Sequence, residues 1–304
     1  MEIIVHHSIA DLYKTLQMPL EQDTDFTILS VPDIHPQIPF TSPVLRADYF
    51  SFILTKEGAG VYYLDDNKFP FHSSSIYFTN PGHIKWYELE ESKEAYIITL
   101  TENFLTENVH ADIYNEFPFL LAEIVPPKTL TTEKFKEFET LYTQILDEYG
   151  KSSLYKDKIL GNLFFVLLLK LKEFWLDYNP RIEGTRNSQI VKSFKQLLES
   201  EFKKVMKGQQ SNGKLQAQYF AERLNLHPNY LNSVIKSKTG KTMYEWITSR
   251  TLSTAKSLLK DPTLSAKEIA YLLGFSEPTH FTRFFKKHES TTPMAYRRNA
   301  RSLK

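Results

Sequence analysis

Between residues 25 and 100 the apolar positions come in short runs broken by turn formers. Phe26–Leu29, Tyr49–Thr55, Val61–Leu64, Lys68–Phe71, Ser75–Phe78, Ile84–Leu89 and Ala95–Leu100 are rich in aromatic and β-branched residues, which suit a pleated, half-buried surface. Gly58 and Gly60, Asp65-Asp66-Asn67, Ser73-Ser74 and Asn80-Pro81-Gly82 separate them as expected turns. Short strands at this spacing predict an antiparallel sandwich or barrel. After Pro127 the period becomes helical. Phe135, Phe138, Leu141, Tyr142, Ile145 and Tyr149 share one face, and a second helix is expected from about Leu154 to Tyr178. Its middle, Leu163 to Leu169, is apolar all round, so it must be covered on most sides, by its own domain or by a second subunit.

Residues 179–188 (Asn179-Pro180 through Gly184 to Asn187) read as a linker, because Pro and Gly among polar neighbours do not continue a helix. Beyond it the pattern is helical with explicit start signals. Thr242 with Glu245 and Ser265 with Glu268 are capping boxes, and His227-Pro228, Ser276-Glu277-Pro278 and Thr292-Pro293 mark further helix starts. The expected domains are therefore 1–178, sheet plus helix pair, and 189–304, all helix.

The helical part contains a repeat. Ala221, Leu224, Asn225 and Leu226 match Ala270, Leu273, Gly274 and Phe275 at an offset of 49; Leu231, Val234-Ile235, Lys236 and Thr242 match Phe281, Phe284-Phe285, Lys286 and Thr292 at an offset of 50. Each unit reads as a short helix, a tight turn and a second helix. Gly274 supplies the positive φ such a turn needs, Asn225 is the usual substitute, and the small residue four positions earlier lets the helices approach. That is the grammar of a helix-turn-helix.

Composition sharpens this reading through charge alone. The 304 residues carry a net +1, yet residues 1–180 hold 14 Lys+Arg against 27 Asp+Glu, net −13, and residues 181–304 are net +14. A basic helical segment with two such units points to a polyanionic partner, DNA. There are no cysteines, which excludes disulfides, thiol nucleophiles and cysteine-ligated metals. Residues Met1 to Leu20 do not read as a signal peptide, and no apolar run approaches the roughly 20 residues of a membrane helix, so a cytoplasmic protein is expected.

Residues from about 190 to 300 resemble the DNA-binding domain of the AraC/XylS family of bacterial transcription regulators. The resemblance is carried by Lys267-Glu268-Ile269-Ala270, Gly274-Phe275-Ser276, Phe281-Thr282-Arg283-Phe284-Phe285-Lys286-Lys287, Pro293 and Tyr296-Arg297. The first half is similar to the family's cupin-like sensor in strand content and placement. The resemblance implies an α+β chain of two domains: an antiparallel cupin-like β-barrel with a helix pair, then an all-α tandem helix-turn-helix domain. It also implies a homodimer, promoter DNA and RNA polymerase as partners, activation more than repression, and a small-molecule effector. Two positions depart from the family. Ser290 stands where a glycine is usual after the second recognition helix, and His227 stands where a serine is usual as the first one's cap.

An α-helix fits the major groove, and a linking helix from about Tyr244 to Lys260 would present two such helices to grooves roughly 34 Å apart, at the cost of bent DNA or incomplete engagement. With Leu231, Val234 and Ile235 inward, Asn229, Asn232 and Ser233 are the expected base readers of the first unit. With Phe281, Phe284 and Phe285 inward, Thr279, His280, Thr282 and Arg283 are those of the second. Arg283 leads, because a guanidinium bonds guanine through two donors. Lys236, Lys241, Lys286, Lys287 and Arg297 are expected at phosphates.

In the first domain Tyr49, Phe52, Tyr63, Phe78, Trp86 and Tyr87 are candidate linings of an effector pocket, or simple core. A first domain that only dimerises or meets another protein is the alternative. A metal-dependent cupin enzyme fused to a DNA-binding domain is a remoter one. Its ligands would come from His35, His72 and His83, which are isolated, with no His-x-His pair; no catalytic residue, metal or cofactor is expected. No Walker-type loop or Gly-x-Ser-x-Gly elbow occurs.

Overall fold

The computed structural model describes residues 3–20, 24–110, 113–121, 125–176 and 186–302. The chain divides into two compact units, Met1–Gly184 and Thr185–Lys304. Most of the expected linker lies outside the described residues, and a helix is already under way at Arg186.

The first unit is built on one nine-stranded sheet: β1 Ile4–His6, β2 Phe26–Ser30, β3 Phe40–Thr41, β4 Leu45–Ala47, β5 Tyr49–Leu64, β6 Asn67–Phe71, β7 Ser75–Thr79, β8 Ile84–Thr101 and β9 Lys128–Thr129. The seven expected runs become five strands, because β5 and β8 each span two of them. These two long strands pair antiparallel from Tyr49↔Thr101 to Leu64↔Lys85. One half of the pair is flanked by β2 and β7, the other by β3, β4 and β6. Gly58 and Gly60, expected in a turn, instead sit in bulges where the register shifts between Thr55 and Gly60. A bulge bends a strand and increases its twist. At Gly60 a Cβ would come within 2.1 Å of the Glu88 carbonyl oxygen, so only glycine fits that crossing. Bent there, the sheet folds its two halves around a common interior, the cupin-like barrel expected.

The short helices of this unit are α1 Ile9–Thr15, α2 Val31–Ile34, α3 Glu102–Phe104 and α4 Ile113–Glu116; the long ones are α5 Thr132–Tyr149 and α6 Lys156–Leu176. Alternation along β5 turns Phe50, Phe52 and Leu54 away from the barrel interior, toward the helix pair. There Phe52 meets Phe164 edge-on at 5.0 Å and Phe78 meets Trp175 at 5.3 Å. Each such buried side chain stabilises the unit by about 1.5–3 kcal/mol. On α6, Phe164, Leu167, Leu168 and Leu171 are fully buried, whereas Val166 and Leu169 are each 41% exposed; Tyr155, just before the helix, is 64% exposed.

The second unit contains α7 Arg186–Met206, α8 Ala217–Arg223, α9 Pro228–Thr239, α10 Met243–Lys260, α11 Ala266–Leu272, α12 Pro278–Glu289 and α13 Pro293–Ser302. One apolar core joins Phe194 and Phe202 of α7 to Leu231, Trp246, Ile269, Phe281 and Phe285. Across it Arg250 donates to both oxygens of Glu199 at 2.9 and 3.1 Å, a buried ion pair tying α10 to α7. Among the described residues no helix is long and apolar enough to cross a membrane.

Candidate functional site

The pairs α8–α9 and α11–α12 are the two expected helix-turn-helix units. Their turns are the same motif. Asn225 has φ 53° and Gly274 φ 83°; the Leu226 amide donates to Ala221 O at 2.9 Å, and the Phe275 amide to Ala270 O at 3.0 Å. Both alanines are fully buried. His227 does cap α9: its Nδ1 accepts from the Asn229 amide at 3.3 Å. Ser290 takes the left-handed conformation (φ 55°) that Gly240 takes after α9 (φ 77°), so the chain follows the same path without the usual glycine.

The linking helix α10 opens on a capping box, as does α11. In each, the glutamate (Glu245, Glu268) bonds back to the cap residue (Thr242, Ser265), and these hydrogen bonds hold its carboxyl below the usual range. At 18 residues, α10 spans about 27 Å. It is anchored at its end by Arg297, which is a correction to the expectation that Arg297 meets phosphate. Arg297 is buried, its Nε donating to Leu259 O at 2.9 Å and its Nη2 to Leu264 O at 2.7 Å. Those carbonyls lie at the end of α10 and just beyond, where helical partners run out.

On α9, Asn229, Ser233 and Lys236 are exposed. Asn232 is half-buried and its Oδ1 accepts from the Met243 amide at 3.0 Å, so its carbonyl serves the start of α10 rather than an adenine. The matching position on α12 is Thr282, whose hydroxyl donates to Pro278 O at 3.0 Å. It needs no such duty, because Pro293, the counterpart of Met243, has no N–H. Thr279 donates to the Glu277 carboxylate at 3.1 Å and His280 pairs with the Ser276 hydroxyl at 3.2 Å, both on the surface. Arg283, Lys286 and Lys287 are exposed along one helix, with His280 on its first turn. Lys241 is half-buried, its Nζ 5.8 Å from the Trp246 ring centroid.

The first unit has a cavity of about 90 Å³ inside the sheet. Of the expected lining, Tyr49 and Tyr87 reach it. Phe52 and Phe78 do not, because strand alternation turns them to the helix pair; Tyr63 and Trp86 stack on each other at 4.4 Å and also lie off the lining. The same alternation brings in Ser51, Ile53 and Thr55 from β5 and Lys85 and Leu89 from β8. Lys85 was missed because a lysine reads as solvated. Its place two residues from Tyr87 and four from Leu89, on one strand face, was the available signal. Lys85 is 8% exposed, and burial alone pushes its ammonium down to about 7.

The histidines do not converge. His35 stacks on Phe40 at 3.9 Å and bonds the Tyr87 hydroxyl at 2.6 Å, and burial lowers its pKa to about 4. His83 bonds Asp65 at 2.7 Å, and His72 is exposed. Among the described residues no group of three or more His, Asp or Glu could hold a metal ion.

Residues 220–299 match the family described as a helix-turn-helix domain. Among similar proteins, the uncharacterized HTH-type transcriptional regulator YtdP of Bacillus subtilis is 39% identical over 83 residues. That stretch covers 27% of this chain and only 11% of YtdP. The HTH-type transcriptional activator RhaS of Shigella dysenteriae is 21% identical over 272 residues, covering 86% of this chain and 89% of RhaS. The crystal structure of ToxT from Vibrio cholerae aligns with 90% of this chain and 97% of its own length, at 16% identity and a TM-score of 0.36.

Proposed function

We propose that the chain is a sequence-specific transcription regulator of AraC/XylS type that reads promoter DNA through α9 and α12, a reading supported by the match of residues 220–299 to a helix-turn-helix domain family. The observation that supports this best is the equivalence of the two units. Positions 229, 233 and 236 on α9 and 279, 283 and 286 on α12 are exposed at the same places on two helices with the same turn and the same left-handed end. Arg283 is the leading base reader; Lys236, Lys286 and Lys287 supply phosphate contacts that set affinity and salt dependence. Activation through RNA polymerase, an effector in the cavity of the first unit and a cytoplasmic location complete the reading by family resemblance.

Selection of bound sequences from a random duplex pool at two salt concentrations tests it. An enriched motif with two boxes about one helical turn apart is expected. Binding that enriches nothing and vanishes with salt would reduce the interaction to phosphate contact and overturn the reading.

The reading includes a homodimer through α6, supported by the exposed stripe of Tyr155, Ile159, Val166 and Leu169. Sedimentation of the full chain is expected to show a dimer that Val166→Glu shifts to monomer. A monomeric parent chain would remove this part.

A further inference from the structure

We propose that the loop 207–216 sets the interval the protein accepts between two DNA boxes: docked through Ser211 on the turn of the second helix-turn-helix, it holds the two recognition helices at one separation. This rests on the reading of DNA by α9 and α12 proposed above, and adds to it a positioning element outside both recognition helices.

The two helix-turn-helix pairs share little else. Among the described residues neither α8 nor α9 packs broadly against α11 or α12, whereas α10 packs on α7, α8 and α9 and also on α11 and α13. A single shared helix leaves two bodies free to rock about it. Room for that motion exists. A groove of about 410 Å³ runs beside Tyr244 and Thr248 of α10, lined by Leu215 and Ala217 from the first helix-turn-helix and by Leu273 and Phe275 from the second.

The loop crosses from one to the other. Ser211 is 4% exposed, and its amide donates to Leu272 O at 3.1 Å, one of the terminal carbonyls that the end of α11 leaves without a helical partner. Its hydroxyl lies against Gly274. A Cβ there would come within 2.2 Å of Oγ, so the contact exists only because the turn residue is glycine. That hydroxyl has no hydrogen-bond partner, so it acts by filling the space and the amide carries the bond. Leu272 ends α11 and Gly274 turns the chain toward α12, so a grip on them is a grip on the entry to the second recognition helix. At its other end the loop runs directly into α8.

The loop is itself stiff. Gly208 (φ 82°) closes α7 with its amide on Val205 O at 2.9 Å. Asn212 and Gly213, left-handed at 47° and 81°, form a two-residue turn closed by the Lys214 amide on Ser211 O at 2.9 Å. Ser211 is thus fixed between a helix end and a tight turn. Rocking that opens the groove would strip Leu272 O of its donor, and a buried carbonyl without a partner is costly.

The test reads separation first, without DNA. The chain has no cysteine, so Ser237→Cys on α9 and Lys287→Cys on α12, both exposed, take two nitroxide labels in the full chain. Pulsed dipolar spectroscopy then gives the distance distribution between the recognition helices, and one narrow distribution is expected. Ser211→Pro removes the donor amide, and Ser211→Gln is too long for the gap beside Gly274. Each is expected to broaden the distribution with far-UV circular dichroism unchanged. Ser211→Ala keeps the amide and is expected to match the parent. The second readout is spacing. Moving one box by a base pair shifts it by about 3.4 Å and turns it by about 34°. On duplexes carrying the selected boxes at intervals from two base pairs short to two long, the parent is expected to lose about tenfold in affinity per step, and the two undocked variants to stay within about threefold across the series. Distances that stay narrow in both variants overturn the proposal. So does a spacing preference that the variants keep while losing affinity at every interval alike, which is what a purely stabilising loop would do. A parent chain that selects no boxes sinks the DNA reading, and the interval with it, while the label distances still show whether the loop fixes the helices.

Discussion

In the first helix-turn-helix unit the turn residue is Asn225, and in the second it is Gly274; both are left-handed. Only Gly274 also has a neighbour in the way. A Cβ there would sit 2.2 Å from the Ser211 hydroxyl, in the loop whose Ser211 amide donates to Leu272 O at 3.1 Å. Further along, Asn232 of the first unit is tied to the start of α10, whereas Thr282 of the second bonds only its own helix. At the helix ends the order reverses: Gly240 closes the first, Ser290 the second. The duplicated backbone has thus kept its geometry while its side chains divided the work. The first unit spends polar groups on holding the domain together, and the second presents a guanidinium and two adjacent ammoniums to its surroundings.

The largest expected effect tests that division at the DNA. Arg283→Ala is expected to cost about 1–3 kcal/mol at the selected operator and to relax one base position. Ser233→Ala, at the matching site, is expected to cost under about 0.5 kcal/mol. Anisotropy titrations of both variants check this, and equal losses would erase the asymmetry. Next, Gly274→Ala is expected to destabilise the domain by about 2 kcal/mol, through the left-handed backbone and the displaced Ser211 hydroxyl. Asn225→Ala meets only the backbone term and is expected to cost about 1 kcal/mol. Urea denaturation ranks the pair. Asn232→Ala should then cost about 1–2 kcal/mol of stability by stranding the Met243 amide, with Thr282→Ala within about 0.5 kcal/mol of the parent; a reversed order would mean that Asn232 is free. The smallest effect is a gain. Ser290→Gly should stabilise by about 0.5–1 kcal/mol, because glycine enters the left-handed region without a Cβ clash. A loss on the same denaturation curves would show that the Ser290 side chain makes a contact worth more than its strain.

The repeat made the second unit readable in the sequence, since one motif written twice at a fixed offset supplies its own control. The turn positions and the inward Leu231, Val234, Ile235, Phe281 and Phe285 followed from it, whereas Phe284, also expected inward, is half-buried against Phe275; the capping boxes were legible on their own. What was not readable is what depends on distant partners. Nothing local separates Arg297 from Arg298, yet Arg297 reaches carbonyls 38 and 33 residues away and is buried, while Arg298 is exposed. Gly58 and Gly60 carry the same local signature whether the chain turns or bulges; the long pairing of β5 with β8 decides for the bulge. Across that bulge the inward parity shifts, from Ser51, Ile53 and Thr55 to Tyr62. This is why aromatic content alone misplaced Phe52 and Phe78 and overlooked Lys85.

Pro293, where the first unit has Met243, has a consequence for how such a protein diversifies. An amide that must be satisfied constrains whichever residue satisfies it, so position 232 is not free to explore new bases without loss of fold. Without that N–H, position 282 carries no such obligation. A regulator built this way would have positions 229 and 233 open to change on the first helix and 279, 282 and 283 on the second, with position 232 alone pinned by the fold.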